Sequence, residues 1–316
     1  MKAIKVEDSV ICGRSVAVSG GWLRKAAFAG EDWREAPAIE DPRAFLVELK
    51  KSRVGADYFT FAQKIPDTMP RYPFHMEPDN IAAIPVFSYQ DWLAGLSTDA
   101  RKDVKRAANR VVVVRSVAFD DDLVRGIIEI HDEMPMRQGR RFKHYGKDFA
   151  TVEREYSTYP DRSEFIAAYF QNELIGMIKI VYVGELACMM QILSKSRHYD
   201  KRPTNALIAK AVEICELRGK TYLTYGRLHY GKKTRSSVVD FKRRNGFELI
   251  FYPRYYIPLN LKGRLGIRLG LHRGFLGILP GFMIDWILSV RTRMREKRMS
   301  GTASAASHED PARDDS

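Results

Sequence analysis

Apolar and polar positions follow two different periods along this chain, and each change of period marks a predicted element. Between Phe165 and Pro253 the pattern predicts a strand, a hairpin partner, a third strand, a helix, a strand, a helix and a last strand. The predicted bounds are Glu164–Phe170, Leu174–Val183, Leu186–Ser194, Pro203–Arg218, Thr221–Tyr225, Ser236–Asn245 and Phe247–Tyr252. The last helix and strand of this series carry the clearest local signal.

That signal is the sequence Phe241-Lys242-Arg243-Arg244-Asn245-Gly246-Phe247-Glu248. Gly246 can take the left-handed backbone conformation that stops a helix. Phe247 then begins an apolar strand, so the pattern predicts a sharp helix-to-strand turn at Gly246.

The residues before this region predict a smaller α+β portion. Asp41 is the expected N-cap of a helix that has Pro42 in its first turn and runs to Lys51. Ala56–Gln63 is either a strand or a buried turn. The other expectations are a hairpin of Val10–Val18 and Trp22–Ala29 turning at Ser19-Gly20-Gly21, a loop over Pro66–Asn80, a strand over Ile81–Phe87, a basic helix over Tyr89–Arg110, a strand over Val111–Val117, helices over Asp120–Met134 and Lys147–Thr158, and a basic loop over Arg137–Lys147.

The order of elements over Val111–Tyr256, with the basic helix before it, resembles the catalytic core of the GNAT acyltransferase superfamily, which includes the N-acetyltransferases. The resemblance implies an α/β fold with a mixed, mostly antiparallel sheet flanked by helices. It also implies acyl transfer from a thioester or ester carrier to an amine or hydroxyl. Ordinary members hold the pyrophosphate of coenzyme A on a Gly-rich loop at a helix N-terminus. The equivalent stretch here, Ser196–Ala206, has no glycine, and Lys201 and Arg202 are its candidate phosphate ligands.

The chain is more similar to the FemAB branch, whose members transfer aminoacyl groups from tRNA to peptidoglycan precursors. The basic run Arg101–Ala107, the small-residue helix after the fourth strand and the pair Tyr225-Gly226 carry this resemblance. FemAB proteins have two such domains in tandem. We therefore predict a reduced first transferase-like domain over residues 1–88, a GNAT-like catalytic domain over 89–258, a basic and apolar segment over 259–298 and a disordered tail over 299–316.

The charge balance points to an anionic partner. The 316 residues include 52 Lys and Arg against 39 Asp and Glu, a net charge of +13. Such an excess suits nucleic acid, a phosphorylated carrier or an acidic membrane. Three widely separated cysteines predict no disulfide framework and no metal site, and the N-terminus has no apolar signal region, so we expect a cytoplasmic protein.

The basic and apolar segment contains the stretch Gly274–Val290, which Pro280 and Asp285 interrupt. No run of eighteen apolar residues occurs, so a spanning helix is not expected. The stretch includes Trp286, and cations flank it on both sides. This composition predicts either an interfacial segment on the inner surface of an anionic membrane or a helix docked on the domain.

The resemblance places the donor along the fourth strand and the turn after it. The candidate donor ligands are Gln191, Ser194, Lys201, Arg202, Thr204 and Asn205. The alternative for Thr204 and Asn205 is a capping role at the start of the helix.

The loop Pro135–Lys147 would lie over the acceptor, and its cations suit phosphate or carboxylate. The candidate acceptor ligands are Arg137, Gln138, Arg141 and Tyr145. The alternative is a solvated basic loop.

The candidate acid and base residues are Glu129, Glu133, His144 and Tyr225. The two glutamates are four apart on one helix face. His144 is of a residue type that can act as a general base near neutral pH, and the resemblance makes Tyr225 a candidate acid for the leaving group. For each of these four residues, the alternative is a purely structural role.

The leading hypothesis is an acyl- or aminoacyltransferase that uses acetyl-CoA or another acyl-CoA, or aminoacyl-tRNA, and no metal. Its acceptor would be an anionic saccharide or lipid of the cell envelope. The alternative is a non-catalytic module of the same fold that binds an anionic ligand or a membrane surface. An RNA-binding protein is a weaker reading, since no RRM, KH or helix-turn-helix signature is present.

Overall fold

The computed structural model describes residues 7–29, 39, 41–52, 54–137, 140–229 and 236–273. Within those ranges the strands are β1 Glu7–Ile11, β2 Arg14–Ser19, β3 Lys25–Phe28, β4 Tyr58–Ala62, β5 His75–Pro85, β6 Val113–Val117, β7 Met136–Arg137, β8 Arg140–Arg141, β9 Ser163–Phe170, β10 Glu173–Val183, β11 Leu186–Ser194, β12 Tyr222–Thr224 and β13 Glu248–Pro258. The α-helices are α1 Pro42–Lys51, α2 Tyr89–Gly95, α3 Thr98–Asn109, α4 Asp121–Asp132, α5 Phe149–Tyr156, α6 Pro203–Leu217, α7 Ser237–Arg244 and α8 Leu261–Arg268.

Eleven of these strands form one sheet, in the order β1-β2-β3-β4-β13-β5-β12-β11-β10-β9-β6. The pairs β3–β4 and β11–β12 are parallel and the others are antiparallel. The predicted fold class, a mixed and mostly antiparallel sheet flanked by helices, is therefore confirmed.

Helices cover both faces of the sheet around β10. On one face α6 packs Leu207, Ile208 and Val212 against β9, β10 and β11. On the other face α4 and α5 bury Ile127 and Val152 against the same strands. Burial on both faces explains why β10 reads as a nearly continuous apolar run rather than as an alternating one.

The core elements match the sequence pattern within the usual uncertainty of element ends. Asp41 caps α1 as expected, since its side chain accepts from the N–H groups of Arg43 and Ala44. Gly246 has the predicted positive φ, +84°, where α7 turns into β13.

Several expectations outside the core were wrong. Tyr89–Arg110 is two helices, because Leu96 is extended and the Ser97 side chain caps a new helix. Val10–Val18 is two strands, because Cys12 and Gly13 both have positive φ and form a tight turn. β5 begins inside the expected loop, β13 runs on to Pro258 between β4 and β5, and the loop Arg137–Lys147 contains β7 and β8.

The proposed division into domains remains a prediction. β5 lies between β12 and β13, so the sheet continues across the predicted boundary at residue 88. Residues 274–316, which contain the apolar stretch and the predicted tail, lie outside the described residues. Of the helices in the described ranges, none combines the length and the apolar character that a membrane span requires.

We expect Gly246→Ala to destabilise the fold more than Gly219→Ala does. Both glycines have positive φ, which costs a residue with a side chain about 1–2 kcal/mol. A Cβ at Gly246 would also lie 2.8 Å from Trp92 Nε1, whereas one at Gly219 would meet nothing within 4 Å. Urea unfolding of both variants measures the difference, and equal losses would contradict the packing argument.

Candidate active site

The sheet opens between β11 and β12, and this opening positions the site. β12 pairs with β11 only from Leu186 to Cys188, opposite Tyr222 to Thr224. β11 continues to Ser194, still paired with β10 on its other side. Along those last six residues no described strand pairs with β11 on the β12 side.

The exposed edge of β11 carries backbone hydrogen-bonding groups. The N–H of Lys195 donates to Ile175 O, so the residues that bond to β10 here are 195, 193 and 191. In an antiparallel ladder the alternate residues point the other way. The N–H and C=O groups of Ile192 and Ser194 therefore face the opening, where an extended ligand can pair with them.

A cavity of about 440 Å³ fills the opening, a size typical of small-molecule sites. The end of β11, the start of α6 and one face of α7 form its walls. Its lining residues are Ile192, Leu193, Ser194, Tyr199, Arg202, Pro203, Thr204, Asn205, Tyr225, Ser237, Val238 and Phe241.

Four of the six predicted donor ligands line this cavity. Ser194 Oγ and Thr204 Oγ1 are 3.3 Å apart, so the two hydroxyls bridge β11 and α6. Asn205 Nδ2 donates to Asn245 Oδ1 over 3.1 Å, which fixes the amide against the end of α7. Arg202 also lines the wall, and its Nε lies 3.0 Å from Asp103.

The other two predicted donor ligands, Gln191 and Lys201, are not among the described residues that line the cavity. Gln191 pairs with Lys179 in the ladder. Lys201 places its ammonium 4.5 Å from the centre of the Phe170 ring and also contacts Asp200.

The turn before α6 keeps a glycine-type geometry without glycine. Arg202 has φ +54°, the left-handed region that glycine adopts most readily. The helix N-terminus it precedes offers few donors, because Pro203 has no N–H and the N–H groups of Asn205 and Ala206 bond to Arg202 O. These features differ from a pyrophosphate-binding loop, which needs several free N–H groups.

Tyr225 lines the opposite wall of the cavity, at the point where β12 ends. Its backbone carbonyl accepts from Lys242 Nζ over 2.5 Å, and Arg227 O accepts from the same ammonium over 2.6 Å. The ammonium also lies 4.4 Å from the centre of the Tyr225 ring. A buried cation thus holds Tyr225 in place.

Lys242 was not among the predicted site residues. Its spacing was a usable signal, since it follows the buried Val239 by three positions and so shares the inward face of α7. A lysine at a core-facing position needs partners, and here the partners are backbone carbonyls that no sequence pattern reveals.

Glu129 and Glu133, the two predicted catalytic glutamates, both contact the turn that follows β11. Glu133 accepts from the backbone N–H groups of Ser196 and Arg197. Glu129 lies 2.8 Å from the ammonium of Lys195, whose side chain is only 3% exposed. Neither glutamate is among the described residues lining this cavity, and their catalytic role stays a prediction.

Glu173, at the start of β10, completes this ion-pair network. It lies 2.7 Å from Lys195 Nζ and also bonds to Arg197 and to His198 Nε2. Partial burial alone would raise the pKa of its carboxyl, but the hydrogen bonds from these three residues outweigh burial and lower it to about 2. The cluster therefore holds the turn between β11 and α6 firmly.

His144, the predicted general base, is buried away from the cavity. Its Nδ1 lies 3.1 Å from Lys147 Nζ and 3.7 Å from Glu155. Its ring is 4.9 Å from that of His131, which in turn lies 3.2 Å from the Tyr156 hydroxyl. A catalytic role for His144 remains a prediction, and its packing between α4 and α5 does not support direct contact with a ligand in the cavity.

The predicted acceptor ligands are only partly described. Gln138 lies outside the described residues, and for Arg137 the structure gives the backbone in β7 alone. Arg141 and Tyr145 are exposed. Their role in acceptor binding stays a prediction.

One group of described residues has the composition of a metal site. His75, Glu77 and His272 bring possible ligand atoms within 4.8 Å of one another, although His272 is far from the others in sequence. Arg273 also bonds to Glu77, through Nε at 3.0 Å. That guanidinium already neutralises the carboxylate, so the group acts as an ion-pair anchor for residues 271–273.

No family model matches the chain, and no curated protein matches it in sequence. Among solved structures, FemX is similar with a TM-score of 0.58 at 10% identity, covering 84% of this chain and 90% of FemX. L-PGS from Bacillus licheniformis has a TM-score of 0.52 at 12% identity, covering 84% and 88%. A protein described as the C-terminal domain of a lysylphosphatidylglycerol synthetase from Agrobacterium fabrum has a TM-score of 0.50 at 12% identity, with the same coverage. At such identities the likeness shows the fold alone, and the chain has the FemX-like, GNAT-type fold that its sequence resembles.

The low pKa of Glu173 predicts a specific pH dependence of stability. The ionised carboxylate stabilises the folded state above its ordinary pKa of 4.5, and this contribution is lost as the pH falls from 4.5 towards about 2. We expect Glu173→Gln to lower the urea midpoint at pH 7, and the gap to the unaltered protein to narrow steadily below pH 4.5. Glu185→Gln, in the exposed turn between β10 and β11, is the control. A gap that does not change with pH would contradict the assignment.

Proposed function

We propose that this chain is an acyltransferase that binds the acyl part of its donor in the cavity between β11 and α7. The observation that carries the proposal is the early end of the β11–β12 pairing. It leaves the N–H and C=O groups of Ile192 and Ser194 facing a walled cavity with several polar side chains.

In this arrangement the donor would lie along the edge of β11 as an additional strand. Backbone N–H groups aimed at the donor carbonyl stabilise the oxyanion that forms when the acceptor attacks. The amine or hydroxyl of the acceptor forms a bond to the carbonyl carbon, and the bond from that carbon to the carrier oxygen or sulfur breaks. The proton of the attacking group ends on the released carrier.

Tyr225 is the cavity residue best suited to relay that proton, giving its phenolic proton to the released carrier and taking one from the attacking group. Its hydroxyl can donate and accept a hydrogen bond, and the ammonium of Lys242, 4.4 Å from the centre of its ring, fixes the position of that ring. Glu129, Glu133 and His144 contact other parts of the protein, and their role as proton acceptors stays a prediction.

We infer that the donor is an aminoacyl ester, as on tRNA, rather than acyl-CoA. The start of α6 has few free N–H groups for a pyrophosphate. The cations of the turn are already paired, Arg202 with Asp103 and Lys201 with Asp200. The acceptor would be an anionic lipid or lipid-linked saccharide of the envelope. The net charge of +13 and the fold shared with a lysylphosphatidylglycerol synthetase domain support that class.

The transfer assay has two donor arms. The purified chain is incubated with envelope lipid extract and either a mixture of aminoacyl-tRNAs or acetyl-CoA, and new acylated products are sought by mass spectrometry. We expect products in the tRNA arm. Products only with acetyl-CoA would overturn the choice of donor. Donor binding without product in either arm would favour the non-catalytic module.

We expect Val238→Trp to abolish donor binding and leave the fold intact. Val238 lines the cavity and is partly exposed on α7, so an indole there fills the cavity without removing a hydrogen bond. The matched control is Val47→Trp, an exposed position on α1. Donor binding is measured as the rise in thermal midpoint, since a ligand of the native state stabilises it. If the donor raises the thermal midpoint of the Val238 variant as much as that of the unaltered chain, the donor does not bind in this cavity.

We expect Tyr225→Phe to lower kcat by about 100-fold, the scale typical of a lost general acid, with little change in the donor KM. The ring and its contact with Lys242 remain, so only the hydroxyl is lost. Steady-state kinetics across pH check this result. A higher KM with unchanged kcat would show that Tyr225 binds the donor and does not transfer a proton.

A further inference from the structure

α8 exposes its large apolar side chains and turns its glycines towards the domain, the opposite of a usual amphipathic helix. Its leucines, Leu261 and Leu265, and Leu269 just beyond its end are 79%, 54% and 57% exposed. They follow one another at a spacing of four and so form one stripe. The face turned to the domain consists of Gly263, Gly266 and Ile267. Folding alone favours the opposite arrangement, with leucines inside.

The two glycines bring α8 into close contact with the domain. A Cβ at Gly263 would lie 1.8 Å from the backbone oxygen of Asp57, and one at Gly266 would lie 2.8 Å from a Leu23 methyl carbon. A larger residue at Gly263 would move the helix away from the backbone of residue 57, and one at Gly266 would displace the Leu23 side chain. The contact therefore fixes which face of α8 points outward.

Polar contacts anchor the segment at both ends. At the start, Asn260 and Lys262 each lie 3.0 Å from the carboxylate of Asp57. At the end, His272 lies 2.6 Å from Glu77. These contacts at both ends fix the orientation of α8 on the domain, so the leucine stripe faces outward in an ordered helix.

Cations border the leucine stripe on both sides. At 100° per residue, Arg264 and Arg268 lie along one side and Lys262 along the other. Both arginines are exposed, and Lys262 lies 5.1 Å from the ring centre of Trp22, which is 64% exposed. Residues 259–273 contain Lys262, Arg264, Arg268 and Arg273 and no Asp or Glu.

We infer that this face, defined by Trp22, Leu261, Leu265 and Leu269 with the bordering Arg264 and Arg268, docks on the surface of an anionic phospholipid bilayer. The leucines enter the acyl boundary, the indole sits at the headgroup level, and the arginines contact lipid phosphates. A second copy of this chain is the less suitable occupant, because it would bring a like-charged basic face against this one. The inference is independent of the proposed transfer reaction.

The test is flotation of the full chain with vesicles. One set contains equal parts of phosphatidylglycerol and phosphatidylcholine, and the other contains phosphatidylcholine alone. The variants are the triple change Leu261→Gln, Leu265→Gln, Leu269→Gln and the double change Arg264→Gln, Arg268→Gln. Leu217→Gln, at a residue 77% exposed at the end of α6, is the matched control. Thermal midpoint and sedimentation velocity without lipid accompany each variant.

We expect the unaltered chain and the control to float with the anionic vesicles. The triple variant should lose about tenfold or more in partitioning, since burial of apolar side chains drives interfacial binding. The double variant should also bind the anionic vesicles less tightly. Its remaining binding should depend less on salt concentration, because two charge contacts with lipid phosphates are gone. Thermal midpoints should stay equal, because the altered side chains are exposed.

Four results would overturn the inference. One is an unaltered chain that does not float with anionic vesicles, and another is a triple variant that floats as well as the unaltered chain. A triple variant with a clearly lower thermal midpoint would mean that the chain's own residues 274–316 cover the stripe. A dimer that becomes a monomer in the triple variant would mean that a second copy covers it.

Discussion

The early end of the β11–β12 ladder is the constraint on which the rest of the site depends. β12 stops after three residues because the chain turns towards β5, where Tyr225 N–H bonds to Ala82 O and Asn80 accepts from the N–H groups at 228 and 229. β11 continues because β10 still pairs with it. Backbone N–H and C=O groups without a strand partner can bond instead to water or to a polar, extended ligand.

A rigid opening needs its edges held, and two kinds of contact do this. On the β12 side, the ammonium of Lys242 bonds to the carbonyls of Tyr225 and Arg227. On the β11 side, Lys195 links Glu129 and Glu173 while Glu133 binds the turn through backbone N–H groups. Each network pairs a buried cation with its partners, which avoids the penalty of an isolated buried charge. The predicted catalytic glutamates thus also hold the turn that follows β11.

Features that depend on residues close together in the sequence could be predicted, and features that depend on packing between distant segments could not. The predicted donor ligands Ser194, Thr204 and Asn205 lie close together because one turn connects β11 to α6. The end of α7 at Gly246 follows from the backbone freedom of that one residue. His144 could not be placed from sequence, because its burial depends on how α4 and α5 pack. The outward direction of Leu265 likewise depends on the distant residues Asp57 and Leu23, which the glycines of α8 contact.

Two features of this chain depart from what folding alone favours, and they do so in different ways. The opening beside Ser194 leaves polar backbone groups without a strand partner, and α8 leaves large apolar side chains in water. Natural sequences are consistent across levels except where function requires otherwise. The first departure suits a ligand that pairs with an extended backbone, and the second suits an apolar phase bordered by anions. The proposed transfer from a polar donor to an acceptor on an anionic membrane would use both features of the same fold.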